Sequence, residues 1–178
     1  MHLRPPTPSE LEGIERTRQA YRAMWAELVN VPERRFEGDP EDIDTLNFID
    51  YEAGDHPEGA SGAAIIFGGV LVKTGLFEWA IGDETHLVLV TTTDYPRVMI
   101  YPYARMAEVE HSSWPAPGNA QRFDWLLEEV ALRLWVGGIC DDRLGPLLAL
   151  VGRNETLYWN SAKEALATLK AGRPPEAG

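Results

Sequence analysis

A single cysteine, Cys140, stands in a chain of 178 residues. No internal disulfide can form, and zinc sites built on several cysteines are excluded. Cys140 precedes Asp141 and Asp142, and neighbouring carboxylates disfavour a thiolate nucleophile, so it reads as a structural, half-buried residue. Histidine is scarce as well. His2, His56, His86 and His111 are widely separated, and none pairs with another at the i+2, i+3 or i+4 spacing of a metal motif. There is no G-x-S-x-G elbow and no phosphate-cradling glycine loop. The Asp42–Asp44 and Asp39–Glu41 spacings lack the glycine and terminal Glu of a calcium loop. No catalytic residue, metal ligand or cofactor is therefore assigned.

Long apolar runs are missing too. The longest, Ala63 to Val72, has ten residues and two glycines, too short to cross a bilayer. The N-terminal residues Met1 to Pro8 contain no apolar signal-peptide core, so the expected setting is the cytoplasm. Positive charge is limited: 16 Lys and Arg face 28 Asp and Glu, a net charge of −12. That balance disfavours nucleic acid and anionic membranes as direct partners, since both are bound through clustered cations.

What is present is an uneven distribution of acid. Between Phe36 and Pro96 there are thirteen Asp and Glu and one cation, Lys73; elsewhere fifteen acids and fifteen bases cancel. Asp39, Glu41, Asp42, Asp44, Asp50, Glu52, Asp55 and Glu58 follow Glu37 within twenty-two residues, with no Lys or Arg among them. Two readings fit: a solvated face, or an electrostatic docking surface for a basic protein. Like charges on one helix repel, and an opposing basic surface turns that repulsion into faster association. Phe36, Phe48 and Tyr51 lie among the acids, and aromatics beside charge are typical interface anchors. The candidate partner-binding set is Asp39, Glu41, Asp42, Asp44, Asp50, Tyr51, Glu52, Asp55 and Glu58.

The rest of the chain reads as one α+β domain over residues 1–178, with flexible tails at 1–7 and 173–178. Thr7 and Ser9 each open an S/T-x-x-E capping box, and Leu11, Ile14, Tyr21, Trp25 and Leu28 recur at helical spacing through Val29. Asp39-Pro40-Glu41-Asp42 starts a second helix, running to about Glu52 with Ile43 and Leu46 inward. For 61–74 periodicity leaves helix or strand open; the length of the run and a stop at Gly75 favour helix, approached closely by neighbours at its small residues. Residues 77–81, 86–92 and 97–101 form a small antiparallel meander, expected over about 77–101. Asn119 caps another helix whose Phe123, Leu126, Leu127, Val130, Ala131 and Leu134 face inward, ended by Gly137-Gly138. Residues 144–151 suggest a short helix, 155–159 a brief strand, and Ser161 to Ala171 a last helix.

The run from Phe67 to Trp79, followed by Val98-Met99-Ile100-Tyr101-Pro102, resembles small bacterial domains of unknown function. These pair a Gly-containing apolar helix with a Gly-hydrophobic-x-Trp strand start and a later strand ending in an aromatic and Pro. In composition the chain is similar to immunity proteins of bacterial toxin–immunity pairs: small, acidic and without a catalytic motif. Neither resemblance carries site residues over. The second implies an immunity or antitoxin-type protein that blocks a basic toxin. Two further readings stay open: a hydrolase-type or metal-dependent enzyme with a site near Asp55-His56, and a structural or oligomeric module using Trp114 or Trp159.

Overall fold

The computed structural model describes residues 2–29, 35–53, 59–83, 85–92, 97–103, 122–139, 145–147 and 149–150. It is an α+β structure in which helices pack on a four-stranded antiparallel sheet. Helix α1 (Pro8–Val29) opens with a reciprocal cap: the Thr7 hydroxyl accepts from Glu10 N–H at 3.3 Å, and the Glu10 carboxylate accepts from Thr7 N–H at 2.7 Å. Of the two boxes in the sequence, this is the one that forms the helix start, because Pro8 and Ser9 are already helical. Tyr21, Met24 and Trp25 enter the core, whereas Leu11 and Leu28, expected in the same stripe, are exposed. With 22 residues, α1 outreaches its packing partner, the 15-residue α3 (Gly59–Lys73), at a rise of about 1.5 Å per residue.

Helix α3 resolves the ambiguity over 61–74. It packs against α1, against α2 (Pro40–Ala53) and against the sheet, so a residue apolar on any side finds a partner. Ala64, Ile65, Ile66, Phe67, Val70 and Leu71 are all buried. Burial of each large side chain contributes about 1.5–3 kcal/mol. Two of its glycines accept close approach. A Cβ at Gly62 would sit 2.2 Å from Tyr21 of α1, and one at Gly68 would sit 2.2 Å from the Trp79 ring. The helix ends at Gly75, whose φ of +76° and N–H bond to the Val72 carbonyl make it the left-handed stop.

The sheet order is β1 (Leu3–Arg4), β2 (Phe77–Gly82), β3 (His86–Thr91) and β4 (Met99–Ile100), every pair antiparallel. Residues 77–101 thus form the expected meander, with a third strand of two residues rather than five. One expectation is corrected. Residues 1–7 read as a tail, but Leu3 and Arg4 pair with Gly82 and Ile81 as an edge strand. The Arg4 guanidinium grips Glu10 at 2.7 Å, tying that strand to the α1 cap. Phe77, Leu89 and Ile100, with Trp79 beside them, join the main core under the helices. Ala80, Val88 and Val90 make a smaller cluster with Leu3, Met99 and Tyr101.

Helix α4 (Arg122–Val136) buries Phe123, Leu126, Leu127, Val130, Ala131 and Leu134, as its spacing requires. Its end is closed by Gly137 N–H to Arg133 and Ile139 N–H to Leu134. Residues 145–147 and 149–150 are helical, within the expected 144–151 helix. Asn119, 155–159 and the helix from Ser161 lie outside the described residues. Among the described residues, no helix is long and apolar enough to cross a membrane.

Candidate functional site

The acidic run begins at a tight corner. Phe36 is not an interface anchor: it is 3% exposed, and its ring meets Tyr21 edge-on at 5.3 Å and Trp25 at 6.2 Å. Arg18 of α1 donates to its carbonyl and pairs with Glu15. Gly38 follows in the left-handed region, φ +84°, where its Cα hydrogen faces the Gly69 carbonyl. A Cβ there would come within 2.9 Å of that oxygen.

At this corner two of the candidate acids are drawn into the fold. The Asp42 carboxylate accepts from Gly38 N–H at 2.7 Å and Asp39 N–H at 3.0 Å, and the residue is 3% exposed. It is the N-terminal capping group of α2, satisfying two backbone donors with a charged acceptor. Its inclusion in a docking face is therefore corrected: a buried carboxylate cannot meet a partner. Asp39 takes Lys73 Nζ at 2.5 Å, and Lys73 also donates to the Glu37 carbonyl at 3.4 Å. The hydrogen bond to Asp39, reinforced by the fields of Asp39, Glu37 and Asp42, holds the Lys73 ammonium above its ordinary pKa. The only cation of the 36–96 segment is thus engaged by that segment's own acids.

Glu41 and Asp44 are exposed on α2, three residues apart and hence on one side of it, opposite Ile43 and Leu46, while Glu37 is exposed just before the helix. Asp50, Tyr51 and Glu52 belong to the last turns of α2. Asp55, His56 and Glu58, and with them the loop of the enzyme reading, lie outside the described residues, as do Trp114 and Trp159. Among the described residues no group of three His, Cys, Asp or Glu side chains could hold a metal ion.

Beside this corner runs a groove of about 400 Å³ between α1, α3 and the start of the acidic run. Leu11, Ile14, Phe36, Ile65, Val72 and Trp79 line it, with Glu15, Arg18, Glu37 and Lys73 among its charged residues. That size falls within the ~300–1,000 Å³ typical of binding clefts. Leu11, 48% exposed, is the apolar wall residue most open to solvent. Sequence reasoning did not assemble this groove, because its walls come from four separated segments: α1, residues 36–38, α3 and Trp79 of β2. Nor did it find Asn47, which is buried and accepts from Phe123 N–H at 2.8 Å, capping α4 from seventy-six residues away. Asp42 was legible as a first-turn acid of α2, but its cap on the Gly38 and Asp39 N–H groups emerges only from the fold.

Comparisons with protein-family models, with curated proteins and with solved structures gave no match.

Proposed function

We propose that the protein is a non-enzymatic binding module whose acidic face engages a basic protein, most concretely an immunity or antitoxin-type protein that blocks a basic bacterial toxin. The observation that supports this reading is the division of charge around α2. Lys73 is already held by Asp39, while Glu37, Glu41 and Asp44 are exposed in a segment whose balance is −12. Such a field draws in a cationic partner and orients its approach. A nuclease toxin is basic where it holds nucleic acid, so an acidic blocker competes with the substrate by charge.

The test is genetic and kinetic. A toxin encoded beside this gene should arrest growth alone and be neutralised by co-expression of this chain. The double variant Glu41→Lys, Asp44→Lys should slow association with that toxin about tenfold and flatten its salt dependence. An unchanged rate refutes the electrostatic mechanism, and failure to neutralise refutes the immunity role.

A further inference from the structure

At Gly62 helix α1 presses directly on α3, where an added Cβ would sit 2.2 Å from Tyr21. Gly69 lies seven residues further on, close to two full turns, and so on the same side of α3. There an added Cβ would meet no atom within 4 Å. The helix pair is tight at Gly62 and open over Gly69, and the groove of about 400 Å³ occupies the opening. Its wall on α1 runs from Leu11 to Arg18 and its wall on α3 from Ile65 to Lys73. At a rise of 1.5 Å per residue these walls enclose a trough about 10 Å long.

The lining selects the occupant. Ile14, Val72 and Trp79 are half-buried and Leu11 is exposed, so apolar surface gathered from α1, α3 and β2 stays within reach of solvent. The charged residues are two acids and two bases, and all four are engaged within the fold. Arg18 pairs with Glu15 and donates to the Phe36 carbonyl. Lys73 pairs with Asp39, donates to the Glu37 carbonyl and interacts with the charge of the Glu37 carboxylate. A charged ligand entering here would lose water without meeting an uncommitted counter-charge, whereas an uncharged apolar one loses only unfavourable hydration. We propose that the trough over Gly69 binds an uncharged, elongated apolar small molecule, of the class of a medium-chain alcohol, against Leu11, Ile14, Val72 and Trp79. The site lies apart from Glu41 and Asp44 and goes beyond the acidic-face reading without depending on it.

The probes are 1-octanol, octanoate and octylammonium, which share one chain length and differ in charge. Each is titrated into the intact protein while the Val72 amide is followed by NMR. 1-Octanol should give a saturable shift there and bind at least tenfold more tightly than either ion. Gly69→Leu, whose side chain enters the trough where a Cβ meets no atom within 4 Å, should weaken 1-octanol at least tenfold. Leu11→Ala, which trims an exposed wall and spares the core, should weaken it several-fold. If 1-octanol gives no saturable shift, or binds both variants as it binds the parent, the site is overturned. If either ion binds as tightly as the alcohol, selection for an uncharged ligand is overturned. The Glu41→Lys, Asp44→Lys protein should bind 1-octanol like the parent even where its response to a basic partner is lost, and weaker binding there would overturn the independence of the two sites.

Discussion

Asp39 and Asp42 alternate with Glu41 and Asp44 along six residues, yet the two pairs have opposite roles. Asp42 is buried and holds two backbone N–H groups, and Asp39 clamps Lys73 across thirty-four residues. Glu41 and Asp44 point to solvent on the opposite side of α2 from Ile43 and Leu46. The difference comes from helical phase at a start signal. An acid three residues after the N-cap folds back onto the chain, while the acids one position before it and two positions after it face outward. A run of carboxylates that looks uniform in composition is thus divided, residue by residue, between holding the fold and charging its surface.

The sharpest way to break this comparison is Asp42→Ala. It removes a charged acceptor from two N–H groups at a buried corner, so stability should fall by about 2–3 kcal/mol in chemical denaturation. A loss no larger than that of a surface substitution would mean the cap is not needed. Asn47→Ala, which strips the cap supplied by α2 to α4, should cost about 1–2 kcal/mol by the same measurement. Asp39→Asn comes next. The Lys73 pair is half exposed on both sides, so the melting temperature should drop less than half as far as for Asp42→Ala, and the drop should shrink in high salt.

The smallest effect belongs to the outward pair. Glu41→Lys with Asp44→Lys should change stability by no more than about 1 kcal/mol, mostly through the first-turn dipole at Glu41. A larger loss would place these acids in the fold as well. Acid titration sharpens the contrast at the other cap. The hydrogen bond from Arg4, followed by that from Thr7, holds the Glu10 carboxyl at about 2 in the folded protein, below its ordinary 4.5. Because the folded value is the lower one, this contribution is present above pH 4.5 and fades as pH falls towards 2. Glu10→Gln should flatten that part of the stability–pH curve while leaving the curve above pH 5 parallel to the parent's.

Much of this architecture was legible in the chain. The cap at Thr7, the start of α2 at Pro40, the stop at Gly75 and the six inward residues of α4 follow from local rules that act over one or two turns. The α+β class followed from helices flanking a short meander. What could not be read were pairings across long separations: the Lys73–Asp39 clamp, the Asn47–Phe123 cap, and the pairing of Leu3 and Arg4 with β2. Each depends on where elements meet, and a two-residue edge strand has too few positions to show an alternating pattern. The acidic surface was legible as composition only. Composition supplies the amount of charge, but burial decides which carboxylates remain on the outside, and Asp42 is the residue it removes from the set.

The most direct measurement is the affinity of a lysine-rich peptide for the parent and for the Glu41→Lys, Asp44→Lys protein, each at low and high ionic strength. If the outward carboxylates create the docking field, the parent should bind more weakly as salt is added, and the double variant should bind poorly at low salt with little further change. Two proteins with the same affinity and the same response to salt would contradict it.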